Sequence, residues 1–300
     1  MAGDPEATLT VLEARIRAAL PDLAFSVAVP IEYGEDNHVV LLDETWIVRF
    51  PRSEEMRGRF GAELNLLRAL RDISRVRVPV YEYVAADGSM GAYRMIGGHE
   101  MTPPVFAALD KAVQHTLLAE MGGFLATLHA LPEATIAQPG GFTQRTWSGE
   151  QFAALYRGMR RARIARFVPA ATMARFDAFH EAFETVAPGV PRLAHNDLSD
   201  DHILVRDSGA LAGIIDFSDA AYGDPAIDFA WFWRLGEDAV DLVFSHYPLA
   251  AEDAGLKTRS HWTFVRYIIN QIWYGERSKW NLPLEDALAE IDGHLRRLGF

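Results

Sequence analysis

Between positions 195 and 219 the chain reads His195-Asn196-Asp197-Leu198-Ser199-Asp200-Asp201-His202-Ile203-Leu204-Val205, then a polar turn from Arg206 to Ala210, then Ile214-Ile215-Asp216-Phe217-Ser218-Asp219. Two short apolar runs joined by a polar turn predict a β-hairpin. One carboxylate, Asp197, lies on the loop before it, and a second, Asp216, lies just after it. Folding the hairpin brings both to the same end. Phosphoryl transfer asks for that arrangement: one carboxylate orients or accepts the proton of an attacking hydroxyl, and another holds Mg²⁺ against a triphosphate.

Upstream of the hairpin the pattern changes character once. Leu9, Val11, Leu12, Ile16 and Leu20 recur at helical spacing, and Pro21 ends that helix. Phe25 to Ile31, His38 to Leu42 and Thr45 to Phe50 are rich in β-formers, separated by Gly34-Glu35-Asp36-Asn37 and by a tight Asp43-Glu44 turn. Ser53 to Arg71 is helical, with Met56, Phe60, Leu64, Leu67 and Leu70 on one face. Val76 to Val84, interrupted by Pro79, is an edge strand, and Ala92 to Ile96 is another strand ending at Gly97-Gly98. Beyond it come a long amphipathic helix, Ala112 to Leu131, helical sequence from Thr146 to Val186, the β-rich stretch Leu193 to Ile215, and a Trp-rich helical tail from Ala226. The expected architecture is a small β-rich lobe followed by a larger helical lobe with a β insert.

Length and composition allow this. With 300 residues, 49% hydrophobic and 23% charged, the chain can fill more than one core. A net charge of -12 argues against nucleic acid and favours cationic partners. There are no cysteines, which excludes disulfides, thiolate catalysis and Cys-based zinc sites. The acidic N-terminus is no signal peptide, and no apolar run is long enough to span a membrane. A cytoplasmic monomer is expected. G-x-S-x-G and H-E-x-x-H are both absent, which disfavours a serine or zinc hydrolase.

The combined pattern resembles the catalytic loop and metal-binding Asp of protein kinases, and is closer to the antibiotic phosphotransferases. Within these the aminoglycoside 2″-phosphotransferases look nearest, on His195-Asn196-Asp197, on Ile215-Asp216-Phe217-Ser218-Asp219-Ala220 and on Tyr274-Gly275. Macrolide phosphotransferases come next. The resemblance implies an α+β, bilobal, protein-kinase-like fold. Residues 1–97 would form a nucleotide-binding lobe, a small antiparallel sheet with one key helix. Residues 98–300 would form a mainly helical catalytic and acceptor-binding lobe with a β-hairpin insert. It also implies Asp197 as the catalytic carboxylate, Asp216 and His202 as Mg²⁺ ligands, ATP or GTP as donor, and antibiotic resistance as the role.

Two positions depart from the kinase pattern. His202 stands where kinases carry a metal-binding Asn, and Mg²⁺ prefers oxygen. Arg49, in Trp46-Ile47-Val48-Arg49-Phe50, stands where kinases carry the Lys that grips the α- and β-phosphates, with Glu63 as its counterpart acid. The turn holding Gly34 and Asn37 falls where a phosphate-covering loop belongs. The connection Tyr93-Arg94-Met95-Ile96 would present backbone groups to the purine, with Tyr93 at the gate of the base pocket.

For the acceptor, Asp219, Glu237, Asp238 and Glu276 near Trp273 suit a polyamine-sugar: carboxylates pair ammoniums, and rings cover sugar faces. Asp228 is expected to brace the catalytic loop, together with His195, and Trp231 and Trp233 to pack between helices. The leading expectation is an aminoglycoside kinase. The alternatives are a kinase of another small alcohol (a macrolide, a choline-like amine or a sugar) and a nucleotide-binding pseudokinase.

Overall fold

The computed structural model of the chain describes residues 5–31, 37–138, 143–273 and 283–300. Helix α1 (Pro5–Ala19) leads into strands β1 (Ala28–Ile31), β2 (Asn37–Leu42) and β3 (Trp46–Pro51), then helix α2 (Glu54–Ile73), then β4 (Tyr81–Val84) and β5 (Gly91–Arg94). The five strands form one antiparallel sheet in the order β1-β2-β3-β5-β4. The β2–β3 turn needs two left-handed residues, and Asp43 and Glu44 supply them at φ 47° and 52°. The Asp43 carboxylate also accepts the N–H groups of Ser26 and Val27 at 2.7–3.1 Å. That capture explains why β1 starts at Ala28 and not at Phe25. β4 lies at the sheet edge, as expected, but begins only after Pro79.

Ser53 caps α2 through the Met56 N–H, and Glu54 and Glu55 complement its positive end. Its inner face carries Phe60, Glu63, Leu66, Leu67 and Leu70. Leu66, Leu67 and Leu70 join the core of the helical part, whereas α1 and the sheet bury a separate cluster around Ile16, Val40, Leu42, Val48 and Phe50. The helix following β3 is therefore packed onto the larger body.

Past residue 98 come β6 (His99–Glu100), α3 (Pro103–Ala107), α4 (Lys111–His129), α5 (Gly149–Leu155), a π-helical turn (Tyr156–Arg160), α6 (Arg161–Ile164) and α7 (Ala170–Glu184). The remainder is β7 (Arg192–Ala194), β8 (Ile203–Val205), β9 (Leu211–Ile214), β10 (Ala221–Gly223), α8 (Ala226–Ala230), α9 (Glu237–Ser245), α10 (Leu256–Gln271) and α11 (Leu284–Arg297). The helical sequence from Thr146 to Val186 is thus broken, with Pro169 opening α7. β8 and β9 form the expected hairpin, closed by Arg206 N–H to Ala210 C=O and turned at Gly209 (φ 78°). β6 joins β8 to complete a three-stranded sheet, and β7 pairs with β10. A Cβ on Gly98 would come within 2.9 Å of the Val205 carbonyl oxygen, so only glycine lets the connection run this close to the hairpin. Among the described residues no helix is long and apolar enough to cross a membrane.

Candidate active site

Three elements deliver the charged centre. β3 contributes Arg49, α2 contributes Glu63, and the turn after β9 contributes Asp216. Arg49 donates to Glu63 Oε1 at 2.9 Å and to Asp216 Oδ1 at 2.7 Å. Both Arg49 and Glu63 are buried. Burial opposes the Arg49 charge, but Glu63 and then Asp216 outweigh it and hold its pKa well above the usual value. Burial pushes the Glu63 carboxyl up to about 7, against Arg49. Asp216 sits at φ 62°, a left-handed backbone unusual for a non-glycine residue. Partial burial would raise its carboxyl, but Arg49, His202 and the Ser218 hydroxyl hold it far below the ordinary range.

Asp228 shapes the loop that carries Asp197. It is fully buried and accepts the N–H groups of His195 at 2.7 Å and Asn196 at 2.8 Å. It also meets His129 Nε2 at 3.0 Å, whose Nδ1 lies 2.8 Å from the Tyr247 hydroxyl. Asn196 takes φ 70°. His195, buried against the Phe217 ring, donates from Nε2 to the Ile215 carbonyl at 3.0 Å. The loop before the hairpin is thereby tied to the segment just after β9 that leads into Asp216. Burial depresses the His195 imidazole to about 4, so it is neutral at pH 7 and works as a tether.

His202 stands between the two aspartates. Its Nδ1 lies 2.6 Å from the Asp197 carbonyl oxygen and 3.6 Å from Asp197 Oδ2, and its Nε2 lies 3.8 Å from Asp216 Oδ2. Burial lowers its pKa, but Asp201, Asp197 and Asp216 together prevail and raise it. Burial in the cleft floor pushes the Asp197 carboxyl up to about 7, with Asp219, Asp201 and Asp216 adding to the rise and His202 opposing it. The Asp197 side chain keeps 54% of its surface open, so water screens part of that push.

Mg²⁺ binds oxygen at about 2.1 Å and commonly takes one or two protein groups, with phosphate and water completing its shell. The 3.8 Å gap between Asp216 Oδ2 and His202 Nε2 admits one such ion. Asp216 Oδ1 is already engaged by Arg49 and Ser218. No group of three or more potential ligands is clustered for a metal among the described residues. The donor set therefore fits an ion that arrives with phosphate oxygens, not a metal caged by protein alone.

On the nucleotide side, Tyr93 is buried and stacks edge-on against Tyr81. The Arg94 side chain points outward, over the Trp46 ring at 4.3 Å and 3.0 Å from Glu82. The Met95 N–H is taken by the Thr45 carbonyl, so that one group of the connection is not open to a purine. Ile96 packs with Leu204, Ala212 and Ile215 in a small apolar cluster between the sheet and the hairpin. Asn37 is buried at the start of β2, its carbonyl bound by Arg52, and Gly34 lies outside the described residues.

Asp197 opens on a cleft of about 410 Å³. Asp219, Trp147, Phe152, Trp231 and Tyr267 line it, as do two cations, Arg160 and Arg266. Asp219 is the one expected acceptor residue among the described residues of the lining, and Arg59 of α2 holds it at 2.9 Å. Glu237 and Asp238 open α9, where acids complement the helix dipole; Glu237 sits 3.5 Å from Lys257, and neither is in the lining of this cleft. Trp273 lies beneath Arg160 and Arg163 at 5.6 and 5.0 Å, and Glu276 falls outside the described residues. Trp233 packs as expected, stacked on His261 and bonded to Ser260. Trp231 is buried too, but also lines the cleft. The aromatic wall and both arginines escaped the sequence reading; only the basic run around Arg160 could have signalled them.

A five-stranded sheet over a helical body, with an arginine–carboxylate pair from β3 and α2 facing a loop–hairpin–turn unit with two aspartates, defines a kinase-like phosphotransferase. Residues 27–266 match the phosphotransferase enzyme family APH, and the chain belongs to it. It is 26% identical over 245 residues to the uncharacterized protein YcbJ of Bacillus subtilis (strain 168), across 77% of this chain and 78% of that one. Its fold is similar to that of APH(2″)-IIIa solved with GDP and kanamycin (TM-score 0.74, 22% identity, 97% of this chain and 99% of that one). It is also similar to macrolide 2′-phosphotransferase MphH from Brachybacterium faecium (TM-score 0.61, 22% identity, 94% and 98%).

Proposed function

We propose that this enzyme transfers the γ-phosphoryl group of ATP or GTP, with Mg²⁺, to a hydroxyl of a small molecule seated over Asp197. The observation that carries the reading is His202 between two aspartates of opposite character. Asp216 is held ionised by Arg49, and Asp197 has a raised pKa and faces an open cleft. A carboxyl near 7 is suited to take a hydroxyl proton at neutral pH.

In this reading residues 1–97 hold the nucleotide and residues 98–300 hold the acceptor. The cluster of Ile96, Leu204, Ala212 and Ile215 forms an apolar floor for a base. Arg49 steadies phosphate oxygens, and Asp216 with His202 would hold Mg²⁺, which when bound neutralises charge on the transferring group. Such an enzyme works where nucleotide is plentiful, which favours the cytoplasm.

An aminoglycoside is the acceptor class the sequence favours; the kanamycin-bound fold neighbour and Asp219 in the cleft support it. A second reading, another small alcohol, is favoured by the two arginines in that cleft, which a polyamine would meet with repulsion.

The test is nucleotide consumption with ATP or GTP across aminoglycosides, macrolides, choline-like amines, sugars and hydroxy acids, for the wild type and Asp197→Asn. Transfer to at least one class, lost in the variant, is expected. Nucleotide binding that ignores Mg²⁺, with no transfer to any class, would instead establish a pseudokinase. Drug susceptibility of cells expressing either form tests resistance.

A further inference from the structure

Arg266 is an exception to a rule of protein interiors: charged groups taken out of water are paired. It lies on α10 and is only 7% exposed. Among the described residues no carboxylate lies within ion-pair distance of it, and its Nε has no hydrogen-bond partner. What it touches is the face of Phe152, with Cζ 3.7 Å from the ring centroid. Burial drags its pKa down to about 9, and another cation, Arg160, adds to the fall.

Arg160 ends the π-helical turn, and such turns recur at functional sites. Its recorded contact is with the Trp273 ring, and it makes no ion pair among the described residues. Both arginines line the cleft onto which Asp197 opens. A third group points the same way: Trp231, on that wall, has a buried indole N–H without a partner. Among the described residues the cleft thus holds two cations without an ion pair and an orphan donor. Its acids are Asp197 and Asp219, and the second is already held by Arg59.

Resting on the reading of Asp197 as the site of the acceptor hydroxyl, we propose that the acceptor carries an oxyanion, carboxylate or phosphate, that docks on Arg266 with Arg160 beside it. Its apolar body lies against Trp147, Phe152 and Tyr267, and its hydroxyl reaches Asp197. The missing partner of the buried guanidinium is the substrate. A site built this way discriminates strongly, because an acceptor lacking the anion leaves the charge uncompensated.

The experiment uses matched probes. Para-hydroxymethyl benzoate is compared with its amide, and a hexose phosphate with the free hexose. Binding is read without nucleotide from the tryptophan fluorescence of the cleft, and transfer is read with ATP and GTP. The wild type is expected to prefer the anionic member of at least one pair by roughly ten- to hundredfold. The pair that responds tells carboxylate from phosphate. In Arg266→Met that preference collapses, while the melting temperature does not fall, because an unpaired buried charge has been replaced by an apolar chain of similar length.

A wild type that binds the neutral probes, or an aminoglycoside, as well as the anions overturns the proposal. So does an Arg266→Met protein that melts lower and keeps the anion preference, since the arginine is then structural. Should that variant not fold, Arg160→Gln reads the same ratio, and an unchanged ratio refutes the idea. Anion binding without transfer to any probe or alcohol refutes the kinase reading and leaves the anion site standing.

Discussion

Arg49 and Asp216 meet at 2.7 Å, joining the middle strand of the sheet to the turn that follows the hairpin of the helical part. The same guanidinium holds Glu63 at 2.9 Å, so one residue links strand, helix and turn. The half of the molecule assigned to nucleotide and the carboxylate assigned to metal are thus joined directly, with the Arg59–Asp219 pair as a second link beside it.

Removing that side chain leaves a buried carboxylate without its partner. Arg49→Met is expected to lower stability by about 3–5 kcal/mol in urea unfolding. Pairing it with Glu63→Gln should recover part of that loss, because the stranded charge goes too. A double variant no more stable than Arg49→Met would show that the pair is not what Arg49 contributes. Arg49→Lys keeps the charge but loses the fork, and is expected to retain only one of the two contacts.

Asp197→Asn isolates chemistry from folding. The side chain is half open and its recorded bond to His202 uses the backbone carbonyl, so unfolding should shift by less than about 1 kcal/mol. Turnover should fall by roughly 10²–10⁴-fold, the range for loss of a general base. A variant with near wild-type turnover would remove Asp197 from the proton transfer.

Asp228→Ala strands the amides of His195 and Asn196 and the His129 imidazole in a dry interior. It is expected to cost roughly 2–5 kcal/mol and to speed hydrogen exchange at the two loop amides more than in α10. Uniform exchange across both regions would mean that the loop is shaped elsewhere.

Acid should unfold the protein early. His180, His195, His261 and His294 are all buried, and burial is the first cause holding their pKa values at about 4, 4, 3 and 4. In the unfolded chain they titrate near 6.5, so there the unfolded state takes protons first. The stability they lend is complete above about pH 6.5, drains as pH falls toward about 4, and then levels off. Glu63, Asp197, Glu290 and His202, all raised, run the other way, and His38, lowered, adds to the four imidazoles. Urea midpoints from about pH 7.5 to about pH 4.5 check the slope, and His180→Leu should flatten it by roughly 2–3 kcal/mol across that span. An equally steep slope in the variant would exclude His180 as a source.

The order of lobes and the hairpin were legible because each rests on a local signal, alternation or helical spacing around a turn; Arg49 and Glu63 came from the resemblance to kinases, and the Arg49–Asp216 contact was not foreseen. β6 and β10 were not, since strands of two or three residues are too short to show a period. The acceptor wall was not legible for another reason. Glu237 and Asp238 look like ligands in a list of acids, but their position at a helix start explains them, and only tertiary packing tells an acid in a cleft from one on a rim. Arg266 was invisible because a lone arginine on an amphipathic helix normally faces water; that it turns inward without a partner is a property of the assembled helices.

Asn196 and Asp216 share a further property. Both adopt left-handed backbone, as among the described non-glycine residues only Asp43 and Glu44 also do. A library randomised at position 196 or 216 would therefore be sorted twice, by shape before function. Valine and isoleucine would be discarded while the chain is still folding, glycine would survive that first sieve with no group to offer, and asparagine and aspartate would be enriched at both positions before any substrate was added.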